Sequence, residues 1–145
     1  PDYTAGYAAW DIDELYQAYF SLVTQMVRSR QFDIVGHLDL IKIFGCRPRR
    51  PVLDLAGSTL QAIQASGMTV EINTAGWYKP VGEVYPTPEL LAQCFCFGIP
   101  ITLSSDAHGP QDVGRDIARA REMAWAVGYR QVAVFEKRQR RLLPL

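Results

Sequence analysis

Ile99-Pro100-Ile101-Thr102-Leu103-Ser104-Ser105-Asp106-Ala107-His108-Gly109 decides how this chain is read. The apolar run from Ile99 to Leu103 has the character of a buried strand, and an aspartate and a histidine fall where that strand ends. In βα-type folds the C-terminal ends of strands carry the chemistry. The chain has only two histidines. The other, His37, closes a second apolar run, Phe32-Asp33-Ile34-Val35-Gly36-His37-Leu38. Two separate strands thus bring one histidine each toward a common rim, a pattern that suits a metal site.

Around these two runs the chain alternates. Apolar residues at helical spacing (Ile12, Leu15, Tyr16, Tyr19, Phe20, Val23, Met26, Val27) predict a helix over residues 10–30, with Asp11 or Asp13 as N-cap. A strand Phe32–Leu38 follows, then a Pro- and Arg-rich loop from Gly45 to Pro51 and a helix over 53–66 stopped by Gly67. Strand Met68–Asn73 leads into a long loop, a helix over 88–97 ends at Gly98, and strand Pro100–Ser104 leads to the Asp-His pair. A helix over 111–127 ends at Gly128, and strand Gln131–Phe135 closes the series. Four βα alternations predict an α/β fold, its strands parallel and its helices packed outside them. His37, Asn73, Asp106 and His108 then share the C-terminal side of one sheet.

The bulk numbers fit a globular domain. At 145 residues, 48% hydrophobic and 21% charged, the chain has material for one core, and residues 1–145 are read as part of a single domain. Zero formal net charge offers no field for nucleic acid or an acidic membrane, and neither partner is expected. No apolar run is long enough to span a bilayer. Three cysteines, Cys46, Cys94 and Cys96, make no disulfide framework and lead us to expect a reducing, cytoplasmic setting. Cys94 and Cys96 lie in an apolar helical stretch at i and i+2, where they face apart, so core packing is preferred to a metal pair. The basic cluster Lys137 to Arg141 is read as a solvated tail. Since the chain opens on Pro1, it is expected to be a fragment or a processed product.

Each candidate has a plainer reading beside it. His37 is either a metal ligand or a buried, hydrogen-bonded histidine. Asp106 either serves the site or caps the following helix. His108 alone is an ordinary loop residue, but Asp106 and His108 together on a tight strand-end loop can turn to one centre. Their oxygen and nitrogen donors suit Zn, Mn or Fe. Asp39 is either an orienting partner of His37 or a solvated loop charge. Glu71 alternates with Val70 and Ile72. It points at the site together with Asn73 if that face is inward, and is an unexplained cost if it is not. Lys79 and Arg47 are candidates for an anionic substrate or simple surface charges.

Four stretches resemble the PHP (polymerase and histidinol phosphatase) superfamily, in its histidinol-phosphatase branch. They are Phe32 to Lys42, Glu71-Ile72-Asn73-Thr74-Ala75-Gly76, Lys79-Pro80-Val81-Gly82-Glu83-Val84-Tyr85-Pro86, and Gly98 to His108 continuing to Asp112-Val113-Gly114. They occur in family order, and the resemblance covers most of residues 8–137. It implies a distorted (β/α)7 TIM-like barrel with two or three divalent metals at the strand ends. It also implies a metal-activated water that attacks a phosphate monoester. On that pattern His37, Asp106 and His108 are metal ligands, Asp106 and His108 are also catalytic, and Lys79 and Asn73 contact a small phosphorylated substrate. Histidinol phosphate is the substrate implied first, and a nucleotide or sugar phosphate second.

The family's first motif, His-x-His, and the histidine and glutamate of its second have no counterpart here. The resemblance therefore implies the C-terminal half of a barrel. Where many relatives carry an arginine before the lysine of the Lys-Pro stretch, this chain has Tyr78, leaving phosphate contact by that loop to Lys79. A half-barrel has open strand edges and an apolar inner face. By itself it is expected to be inactive, to self-associate, and to act only when paired with its missing half.

Overall fold

A computed structural model describes residues 6, 7 and 9–145; the other positions of the expected 1–145 domain lie outside the described residues. Helix α1 (Ile12–Arg28) starts at Asp11, whose carboxylate accepts hydrogen bonds from the Asp13 and Glu14 amides at 2.9 and 3.2 Å. That choice settles the N-cap between the two expected aspartates. Tyr16, Phe20, Thr24 and Val27 form its buried stripe and pack on α2 (Val52–Ser66) through Leu55, Ala56, Thr59, Leu60 and Ile63. Between the helices the Thr24 and Thr59 hydroxyls meet at 2.8 Å and reach the Phe20 carbonyl, so no buried hydroxyl there is left unpaired. Gly67 stops α2 in the left-handed conformation, φ +72°.

Strands β1 (Ile34–Val35), β2 (Thr69–Asn73) and β3 (Ile101–Ser104) form a parallel sheet in the order β1-β2-β3. Val35 pairs with Val70, Val70 with Ile101, and Asn73 with Ser104. The central strand is the most buried, as its Val and Ile content requires. Helix α3 (Pro88–Cys96) begins with Pro at its first turn and Thr87 as cap. Cys94 is buried and Cys96 exposed, as the i, i+2 spacing predicts. Helix α4 (Ile117–Val127) completes the second core with Ile72, Leu91, Ile101 and Tyr129. No helix is long and apolar enough to cross a membrane among the described residues.

The structure departs from four expectations. β1 is two residues long rather than seven, because His37 turns into the left-handed region at φ +48° and leaves the ladder. The last helix starts at Ile117 rather than 111, since residues 110–112 form a separate 3-10 turn. The fourth strand does not extend the parallel sheet. β4 (Gln131–Glu136) turns through Lys137 and Arg138, both at positive φ, and pairs antiparallel with β5 (Gln139–Pro144). Two consecutive left-handed residues match the twist of a tight hairpin. The basic cluster is thus exposed, as expected, but forms a hairpin and not a tail. Arg138 clasps Asp33 just before β1, with Nε at 2.8 Å, and Arg140 donates to the Gly67 carbonyl at 2.7 Å just before β2.

Candidate active site

The C-terminal ends of β1, β2 and β3 converge on the imidazole of His37. Its backbone amide donates to Glu71 Oε2 at 3.0 Å, and its ring Nδ1 lies 3.4 Å from the same oxygen. Glu71 therefore faces the site, which explains a carboxylate in mid-strand. On the other side of the ring, Nε2 is 3.1 Å from Asp106 Oδ2 and 3.2 Å from Asn73 Nδ2. The Asn73 amide is oriented by its own turn, since its Oδ1 accepts from the Ala75 amide at 2.9 Å and so leaves its NH2 for His37. Asp106, like His37, is left-handed, at φ +50°. It caps no helix, because the residue at the start of α4 is Asp116.

The surroundings of Nε2 conflict. A protonated Nε2 satisfies Asp106 but meets the Asn73 NH2 donor to donor. An unprotonated Nε2 accepts from Asn73 but then sets its lone pair against a carboxylate oxygen 3.1 Å away. A cation shared by Nε2 and Oδ2 removes the conflict, and the separation suits two ligands on one ion with bonds near 2.1 Å. The donor set is incomplete: among the described residues no group of three or more His, Cys, Asp or Glu side chains is arranged to hold a metal ion. The third expected ligand, His108, is exposed, its Nδ1 hydrogen-bonded to the Asp106 carbonyl at 2.8 Å. Thus His37, Asp106 and Asn73 come together, His108 stands on the adjoining loop, and Lys79 is an exposed residue of the turn after β2.

Several neighbours escaped the sequence reading. Asp39 is neither partner to His37 nor solvated. It is buried, 2.9 Å from Lys42 Nζ, and accepts from the Thr87 amide. Lys42, equally buried, also donates to Glu83 Oε2 and the Val84 carbonyl, each at 2.7 Å. Burial raises the Asp39 carboxyl above the carboxylate range, against the pull of Lys42 and Thr87. Partial burial also pushes Glu83 up, but hydrogen bonds from Lys42 and Arg47 override it and hold its carboxyl low. Arg47, weighed as an anion binder, is committed to Glu83 at 3.0 Å. The signal was present: Asp39 and Lys42 stand three apart inside the apolar run Leu38 to Ile43. Tyr85 reaches the site through paired backbone hydrogen bonds with Asn73, and its ring centre lies 5.6 Å from that of His37. Burial, with Asp39 and Asp106 nearby, pushes its phenol up to about 12.

The chain is 41% identical over 144 residues to the Deinococcus radiodurans protein named "Probable histidinol-phosphatase", covering 99% of this chain and 54% of that protein. It is 31% identical over 116 residues to the histidinol-phosphatase of Bacillus subtilis, covering 74% of this chain and 43% of the relative. The chain is related to the histidinol-phosphatases. This is the branch of the PHP superfamily that the four stretches resemble. A crystal structure of hisK from Listeria monocytogenes, a protein named for histidinol phosphatase activity, superposes with a TM-score of 0.65 at 26% identity. That match covers 72% of this chain and 43% of the other. The chain thus spans about half the length of the curated relatives it matches. No protein-family model matches the sequence.

Proposed function

We propose that this chain forms the C-terminal half of the active site of a cytoplasmic, metal-dependent phosphatase that hydrolyses histidinol phosphate to histidinol and phosphate. In this reading its three parallel strands belong to a distorted (β/α)7 barrel. The observation that carries the proposal is the unresolved hydrogen-bonding around His37 Nε2, which a cation shared with Asp106 relieves. The relatives' names supply the substrate.

His37 Nε2 and Asp106 Oδ2 are the residues to hold a divalent ion, Zn, Mn or Fe, with His108 turning in from its loop. Such an ion supplies an acidified water and positive charge against phosphoryl oxygens. The remaining work belongs to the chain itself. Glu71 fixes the His37 ring by taking its amide and facing Nδ1, so that Nε2 points to the site. Asn73 holds the ring from the opposite side and presents an N–H to substrate oxygens. One of Asp106 and His108, whose ring is held on the Asp106 carbonyl, gives a proton to the leaving alkoxide. Lys79 brings a cation to the phosphate from the turn after β2.

Calorimetric titration with Mn²⁺ or Zn²⁺, paired with phosphate release from histidinol phosphate and a panel of nucleotide and sugar phosphates, tests the reading. One weakly bound ion, lost in Asp106→Asn and His37→Ala, is expected. Two or more ions held tightly by the chain alone would contradict the half-site. Preference for another phosphomonoester would move the substrate assignment to that class.

A further inference from the structure

The residues after β3 place an arginine at the same rim without a use in the site so far described. Arg115 is tied there by its backbone: its carbonyl accepts from the Thr74 hydroxyl at 2.7 Å, next to Asn73. One residue earlier, the Gly114 amide donates to the Ser105 hydroxyl at 3.0 Å, next to Asp106. The loop is therefore fastened to the ends of both β2 and β3. The guanidinium lies flat on Tyr78, 3.6 Å from the ring centre. Tyr78 is in turn held by its hydroxyl on the Asp116 carboxylate. Asp116 starts α4 in a left-handed conformation and makes no capping bond, so its side chain is given over to holding the tyrosine.

This mounting leaves part of the guanidinium in solvent, the side chain being 30% exposed. Nη1 is taken by Asp112 at 2.6 Å, while Nε is buried with no hydrogen-bond partner among the described residues. Nη2 makes no hydrogen bond among the described residues and is the donor left for an acceptor from outside. A guanidinium N–H makes a charge-assisted hydrogen bond to a phosphate oxygen. The other anions facing Arg115, Asp112 and Asp116, are already engaged with it and with Tyr78. Arg119, stacked on Trp77 at 3.9 Å, and Lys79 add positive charge to the same turn.

The geometry points to Arg115 as the residue that anchors the substrate's phosphoryl group, through Nη2, with Tyr78 as the platform that holds the guanidinium in place. This rests on the phosphatase reading above and adds to it a specificity-determining residue outside the metal-binding set. Binding rather than bond breaking is its task, so loss of Arg115 acts on substrate affinity before turnover.

The test uses the whole chain and inorganic phosphate, without added divalent ion, so that it does not depend on His37 and Asp106. The arginine Nε–H resonances are followed by ¹⁵N NMR during the titration. The Arg115 Nε–H signal is expected to shift with saturation. Phosphate affinity should fall at least tenfold in Arg115→Met and recover only in part in Arg115→Lys, which restores the charge without the stacked guanidinium. Arg130→Met serves as control, since Arg130 is also stacked on an aromatic ring, Trp125 at 4.1 Å, but precedes β4; it should stay within twofold. An Arg115 Nε–H that does not move, or an Arg115→Met chain that binds phosphate as well as the parent, overturns the assignment. Failure of the phosphatase reading shows separately, as phosphate release or ion binding indifferent to His37→Ala and Asp106→Asn.

Discussion

Replacing Lys42 by methionine removes the cation at the centre of the buried network while keeping most of its volume. Lys42 and Asp39 are each 1% exposed, and the ammonium has three acceptors: Asp39, Glu83 and the Val84 carbonyl. Without it, Glu83 keeps Arg47, the Val84 carbonyl loses its donor, and Asp39 is left with the Thr87 amide alone. One Asp39 oxygen already lacks a partner. Stranding a buried charge in this way costs about 3–5 kcal/mol, a large share of the roughly 5–15 kcal/mol that holds a domain together. For a chain of this size that is a fall in Tm of roughly 10 °C. Urea denaturation followed by circular dichroism reads the loss. Adding Asp39→Asn to Lys42→Met removes the stranded charge and keeps an acceptor for Thr87, so about half of the loss should return. The pH dependence has a definite sign. In Lys42→Met the folded pKa of Asp39 lies further above its unfolded value of 3.8, so the deficit is absent below that value and grows as pH rises toward neutrality. A Lys42→Met cost below about 1 kcal/mol, or an Asp39→Asn change that adds to it, would refute the buried-pair account.

Gly76→Ala should be severe, since a Cβ there would lie 2.1 Å from the Glu83 carbonyl oxygen and 3.0 Å from the Tyr85 ring; thermal melting should show a loss of about 3 kcal/mol, and an unchanged Tm would mean that the turn after β2 yields freely. Arg138→Ala should lower the urea midpoint at neutral pH. The hydrogen bond from Arg138 depresses the Asp33 pKa, so the stability it brings is present above 3.8 and lost as pH falls through the lowered value, and the gap between parent and variant should narrow there; a constant gap would assign the effect to packing. Light scattering should show concentration-dependent self-association, because Phe32 and Ile34 are exposed beside β1, which pairs on one side only among the described residues; a monodisperse monomer would contradict it.

Much of this architecture was legible because it rests on local signals. Gly67 and Gly98 stop helices at positive φ, and Asp11 and Thr87 cap them. The apolar runs found all three parallel strands. That His37, Asn73 and Asp106 come together was legible for a related reason: polar residues at the ends of neighbouring parallel strands share one rim. What failed depended on long-range pairing. Lys137 and Arg138 carry no glycine to announce a hairpin, and Arg138 finds its partner Asp33 more than a hundred residues away. The charges of Asp39 and Lys42 look solvated one at a time, and only together do they pass as core. Glu71 could be placed only once the face of β2 was known.

His37 and Asp106 share a left-handed backbone that neither residue favours. A side chain in that region costs roughly 1–2 kcal/mol that glycine would not. The two residues proposed to hold the ion are therefore among the positions, with Arg30, Asp116, Lys137 and Arg138, where glycine would relieve the backbone. A thermostability screen blind to activity should enrich glycine at positions 37 and 106, giving sturdier molecules with an empty rim. Under the proposed function, glycine at those two positions in a relative would be an early mark of a lost ion site.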